Sequence, residues 1–157
     1  MDDIERKVKA GDRAPDFTIK DQDGNDFTLH SQKGGRVLLS FHPLAWTPIC
    51  TKQMQSLEEN FQVFKALHTL PVGMSVDPVP SKKAWADNIG VKKVPLLSDF
   101  WPHGEAAKLF DIFRDKNGFS ERANIVVDEN GKITLFKTYP LSQLPDINEI
   151  IEAVRKM

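Results

Sequence analysis

The stretch VLLSFHPLAWTPIC, Val37 to Cys50, passes from one kind of backbone into another. Val37 to Phe41 is a short continuous apolar run, the pattern of a strand covered on both faces. Thr47 is a preferred N-cap residue and Pro48 a preferred first helical residue, so a helix is predicted to start there with Cys50 as its third residue. Cys50, Met54, Leu57, Phe61 and Phe64 then recur at spacings of four, three, four and three, which is one face of an amphipathic helix. A covered strand that hands the chain to a helix is the repeating unit of an α/β sheet.

Outward from this unit the chain keeps alternating. DFTIKDQDGNDFTL has apolar alternation on both sides of Asp23-Gly24, a hairpin signal near the N-terminus. A strand is predicted over Leu70 to Val76, then a helix capped by Ser81 that ends near Asn88-Ile89-Gly90, then a short helical piece from Gly104 to Phe110. ANIVVDENGKITLFKTY is a second hairpin turning at Asn130-Gly131. Ile147, Ile150, Ile151 and Val154 form the stripe of a closing helix, with Pro145 suited to its first turn. These elements describe an α/β protein with a central mixed β-sheet flanked by helices and an N-terminal β-hairpin, a thioredoxin-like fold. No repeat, low-complexity stretch or linker divides the chain, so residues 1–157 read as one domain. Periodicity does not give the strand order.

Composition narrows the function classes. Hydrophobic residues make up 40% and charged residues 27% of 157, enough to fill a core. The net charge is -1 and the basic residues are scattered, so no stripe for nucleic acid is expected. MDDIERKVKA carries acids at its start and no apolar run, no segment approaches membrane-spanning length, and a cytoplasmic location is expected. The single cysteine, Cys50, cannot form an internal disulfide or a CxxC dithiol. The four histidines show no ligand spacing with it, so neither metal nor other cofactor is expected. DQDGND has its glycine too early for a calcium loop and reads as a turn, and Lys33-Gly34-Gly35-Arg36 precedes a strand and reads as a surface turn rather than a phosphate cradle.

Cys50 has two readings from its position. It falls in phase with the apolar stripe, as a core cysteine would. It also sits in a first helical turn, beside unpaired backbone N–H groups and the positive end of the helix dipole, both of which favour thiolate over thiol. Pairing with His42 or His103 in a hydrolase is a third arrangement, without a supporting signature in the flanks. As lone residues, Pro43, Thr47 and Arg122 read as a turn residue, a cap and an exposed charge.

Pro43, Thr47 and Cys50 fit P-x-x-x-T-x-x-C, and with them the loop resembles that of the peroxiredoxins, the alkyl hydroperoxide reductase and thiol-specific antioxidant family. GDRAPDFTIKDQDGNDFTL, VPLLSDFWP and ERANIVVDENGKI resemble further stretches of the family in the same order, from about Gly11 to Phe136. The resemblance implies a thiol peroxidase in which Cys50 attacks hydrogen peroxide or an organic hydroperoxide and becomes a sulfenic acid. It implies that Thr47 hydrogen-bonds thiolate and peroxide, that Pro43 shields the sulfur, and that Arg122 holds the thiolate and polarises the O–O bond.

The chain departs from two-cysteine relatives: position 55 is Gln55, and no resolving cysteine exists. Reduction must then come from outside, from thioredoxin, glutaredoxin or a low-molecular-weight thiol such as glutathione, through a mixed disulfide. No Gly-Gly-x-Gly loop lies between Trp85 and Pro95, which argues against a peroxide-gated switch. Gln53 stands where many members carry an acid and is either a supporting hydrogen-bond partner or an exposed helix residue. Trp46, Phe100 and Trp101 suit a pocket rim, a subunit interface or the core, and Trp85 suits packing between its helix and the sheet. A homodimer is the expected assembly. A peroxide-sensing relay with little turnover, and a non-catalytic thioredoxin-like adaptor, are the competing functions.

Overall fold

The computed structural model describes residues 7–32 and 34–157. The first six residues of the opening segment and Lys33 of the predicted surface turn lie outside the described residues. In chain order the elements are β1 (Thr18–Lys20), β2 (Asp26–Thr28), β3 (Arg36–Phe41), α1 (Pro48–Glu59), α2 (Phe61–Ala66), β4 (Thr69–Ser75), α3 (Val79–Ile89), β5 (Leu96–Ser98), α4 (Glu105–Leu109), β6 (Phe113–Arg114), β7 (Phe119–Ser120), β8 (Arg122–Val127), β9 (Ile133–Tyr139) and α5 (Ile147–Arg155).

Seven strands make one mixed sheet in the order β2-β1-β5-β4-β3-β8-β9. β3 runs parallel to β4 and antiparallel to β8, and every β3 residue after Arg36 is buried, as the apolar run requires. Both predicted hairpins form. β1 pairs with β2 around an Asx turn in which Asp21 Oδ1 accepts from the N–H groups of Asp23 and Asn25, which is the turn chemistry read from DQDGND. β8 pairs with β9 with a register shift at Val126/Val127. One apolar cluster on one side of the sheet includes Phe17, Phe41, Phe110 and Ile125, and the other gathers Leu38, Met54, Trp85 and Val126 with Ile150 of α5. Trp85 lies, as predicted, fully buried in the second cluster.

Three local expectations change. The helix after Cys50 breaks at Asn60, whose side-chain amide donates to Ser56 O at 2.8 Å and competes with the helical ladder there. The stripe is thereby divided between α1 and α2, and Phe61 is only half-buried. α3 begins two residues before Ser81, with Pro78 as N-cap and Pro80 in the first turn, so Ser81 lies inside the helix and does not cap it. α5 is capped by Asp146, which accepts from Asn148 N–H at 3.0 Å, leaving Pro145 just ahead of the helix. The two-stranded β6–β7 hairpin went unpredicted although Asn117-Gly118 signals a turn there.

α1 is seated by a glycine. A Cβ on Gly73 of β4 would meet Met54 Sδ at 2.3 Å and Leu96 Cδ2 at 2.8 Å, so the helix bearing Cys50 rests directly on bare backbone. Gly73→Ala is expected to destabilise the protein by about 1–3 kcal/mol, as overpacking does. Denaturant unfolding of the variant checks this, with an unchanged midpoint as the contrary result.

Candidate active site

Parallel and antiparallel neighbours give β3 its use. β8 runs antiparallel with Phe41 opposite Ala123, so the first residue of β8, Arg122, stands beside the end of β3 where the chain leaves for α1. The connecting loop is held by its own polar groups. Ala45 N–H donates to Asp77 Oδ2 at 2.8 Å, and Trp46, at φ 70, sends its indole N–H to Ser81 Oγ at 3.0 Å. Thr47 occupies the N-cap position, with Pro48 first in the helix and Cys50 third. Its hydroxyl accepts no helix N–H; it donates instead to Leu44 O at 2.8 Å, which closes the loop on itself.

Cys50 is 1% exposed. Its sulfur accepts from Arg122 Nη1 at 3.3 Å, and the same nitrogen donates to Gln53 Oε1 at 2.7 Å. Arg122 Nε and Nη2 both donate to Leu141 O, at 3.1 and 2.7 Å, so the guanidinium plane is fixed from the segment after β9. Gln53 is buried, and its amide in turn donates to Ser40 Oγ at 2.7 Å and Phe41 O at 3.2 Å. Of the two readings left open for Gln53, the structure has the hydrogen-bond partner: one helical turn beyond Cys50, it carries Arg122 on its oxygen. Among the described residues no carboxylate lies within ion-pair distance of Arg122, so its positive charge is opposed only by dipoles and by the sulfur.

A cavity of about 320 Å³ opens at this sulfur. Pro43, Thr47, Cys50 and Arg122 all line it, so the loop and the distant strand meet as one site. The remaining lining is apolar: Leu44, Pro48, Ile49, Phe119 and Leu141. Phe119 and Leu141 were not anticipated. Phe119 arrives on the unpredicted β6–β7 hairpin, and Leu141 acts partly through a backbone carbonyl, which no side-chain pattern announces.

Other candidates lie elsewhere. Trp46, Phe100 and Trp101 are 52%, 46% and 81% exposed, which removes the core reading. They do not line the cavity at Cys50, so the pocket-rim reading is replaced by the residues just named. His42 is fully buried, and its Nε2 faces Lys82 Nζ at 3.1 Å rather than sulfur. His103 bonds Gly118 O. Neither histidine is paired with Cys50, and a cysteine–histidine dyad is not formed.

A thioredoxin-like sheet that brings one buried sulfur under a guanidinium at the mouth of an apolar cavity defines a thiol-based oxidoreductase. Residues 10–136 match the AhpC/TSA family, and the chain belongs to that family. Alkyl hydroperoxide reductase E of Mycobacterium tuberculosis is 39% identical over 127 residues, covering 80% of this chain and 82% of that protein. Peroxiredoxin 2 of Thermoplasma acidophilum is 32% identical over 152 residues, covering 94% and 75%. Among solved structures, peroxidoxin BcpB from Mycobacterium tuberculosis superposes with a TM-score of 0.84 at 27% identity, covering 96% of this chain and 98% of that one. The reduced 2-Cys peroxiredoxin of Plasmodium vivax, TM-score 0.85 at 24% identity, shares the fold. The chain is thus a peroxiredoxin, an oxidoreductase of the thiol peroxidase class. No helix among the described residues is long and apolar enough to cross a membrane.

Proposed function

We propose that Cys50 is the peroxidatic residue and that the cycle passes through its sulfenic acid. The thiolate attacks one oxygen of the peroxide; the S–O bond forms as the O–O bond breaks, and the other oxygen leaves as alkoxide or hydroxide and takes up a proton. Sulfur is oxidised and the peroxide is reduced. An external thiol then displaces water from the sulfenic acid to give a mixed disulfide, and a second thiol releases Cys50. Arg122 carries the reading: one guanidinium nitrogen 3.3 Å from the sulfur is a fixed donor where charge develops on the departing oxygen. Thr47, with its proton directed to Leu44 O, keeps lone pairs free to accept the peroxide O–H. Pro43 walls the cavity against water.

The apolar lining favours organic hydroperoxides over hydrogen peroxide by the area they bury. A single thiol without a resolving partner suits a reducing cytoplasm and a reductant of the thioredoxin, glutaredoxin or small-thiol kind. A homodimer is the working assembly, and the exposed aromatic side chains of Phe100 and Trp101 are of the type enriched in such interfaces. Mass spectrometry after one equivalent of peroxide tests the reading. Cys50 is expected to gain one oxygen atom and to lose it again to an added thiol. Failure to oxidise leaves the adaptor, and oxidation without turnover under any reductant leaves the relay.

A further inference from the structure

Beneath the loop lies a charged group that takes no part in the proposed peroxidase cycle. Lys82 of α3 is fully buried, and its Nζ donates to Ser75 Oγ at 2.7 Å and faces His42 Nε2 at 3.1 Å. Ser75 Oγ passes the bond on to Asp77 Oδ2 at 2.6 Å, and that same oxygen holds Ala45 N–H of the loop. Because an ammonium only donates, His42 Nε2 is the acceptor, and the imidazole proton sits on Nδ1. Burial and the neighbouring Lys82 keep His42 neutral, well below its ordinary range. His42 immediately precedes Pro43, so the ammonium is anchored to both His42 and, through Ser75 and Asp77, to Ala45 of the loop that carries Cys50. Lys82 approaches β3 from the β4 side of the sheet, whereas Arg122 approaches it from the β8 side.

We propose that Lys82 is a positioning residue for the reaction at Cys50: its ammonium, seated between His42 and Ser75, holds both flanks of the loop that carries the sulfur to the mouth of α1. The titratable and charged groups that face it are His42 at the end of β3, Asp77 after β4 and Cys50 on α1, with Arg122 of β8 acting on His42. Burial lowers Lys82 to about 7, against the pull of Asp77 and Cys50, which favour its charged form. Lys82 is charged at pH 6 and neutral by pH 8.5, so the charged bonds by which it grips His42 and Ser75 are strongest at pH 6 and weakened at pH 8.5.

The inference rests on Cys50 as the reacting sulfur, and two probes separate it from the peroxidase reading. Rates of alkylation by iodoacetamide and of oxidation by peroxide are measured at pH 6 and pH 8.5 for the wild type, Lys82→Met and Ser75→Ala. At pH 6 Lys82→Met is expected to be about five-fold slower with both reagents, the low end of ordinary coupling between two sites, and to come close to the wild type at pH 8.5. Ser75→Ala leaves the lysine in place but removes the oxygen that holds its proton, and shows the same deficit at pH 6 in smaller measure. It decides the matter if Lys82→Met fails to fold by circular dichroism. Equal rates at pH 6, or a deficit of one size at both pH values, would make Lys82 a packing residue and overturn the proposal. If the pH-dependent deficit is seen with iodoacetamide while wild-type oxidation by peroxide is no faster than that of free cysteine, the peroxidase reading falls and the role of Lys82 stands.

Discussion

Cys50→Ser is expected to abolish catalytic peroxide consumption, in an assay coupled to dithiothreitol or to a thioredoxin system, while the far-UV circular dichroism stays that of the wild type. The loss is complete because there is no second thiol in the chain to take over. A serine hydroxyl at the third residue of α1 keeps the oxygen within reach of Arg122, so the pocket retains its hydrogen bonds. What disappears is a polarisable sulfur able to attack an O–O bond: the hydroxyl that replaces it is a far weaker nucleophile toward peroxide. Turnover by the serine variant above that of the buffer thiol would show that the chemistry occurs elsewhere.

Arg122→Lys is expected to slow oxidation of Cys50 by a hydroperoxide about 10²–10³-fold, the range seen when one preorganised donor is removed from a reacting oxyanion. Stopped-flow oxidation of the reduced protein reads it. Charge is conserved, so a mere need for a cation would leave the rate near wild type. The guanidinium meets Leu141 O with two nitrogens and offers a third to Gln53 and the sulfur at once, a fork that an ammonium on a flexible stem cannot reproduce. The lysine must therefore choose among partners, and the sulfur loses a fixed neighbour. Unfolding midpoints should move far less than the rate does, and unchanged oxidation kinetics would take Arg122 out of the mechanism.

Local chemistry made much of this architecture readable beforehand. Val37 to Phe41 is buried on β3 because a strand covered on both faces takes mainly apolar residues, its one polar member Ser40 being satisfied by Gln53, and Thr47-Pro48 sets the start of α1 by backbone rules alone. Asp23-Gly24 and Asn130-Gly131 turn where the left-handed glycine conformation is needed, at φ 81 in both cases. The rest depended on what meets what. Arg122 is 72 residues from Cys50, and no periodicity in either segment points to the other; only the resemblance to a family linked them. Gln53 shares a helix face with Cys50, yet its burial follows from Arg122 and Ser40, which belong to other strands. The carbonyl of Leu141 has no sequence signature, because every residue owns one. Asn60 breaks the helix through a side-chain bond whose competition with the ladder is decided by geometry, not by the apolar stripe.

The neutral glutamine beneath Arg122 also shapes the second half of the cycle. In the proposed cycle a thiolate would be the guanidinium's counter-charge, and its conversion to a neutral sulfenic acid would leave a lone cation facing the cavity mouth. A thiol reductant reacts as its anion, so under this proposal the oxidised pocket would draw in the species that resets it, and after reset the attraction would be quenched. An acid in place of Gln53 would cancel that pull, which makes this position a lever on how quickly the enzyme recovers rather than on how quickly it strikes.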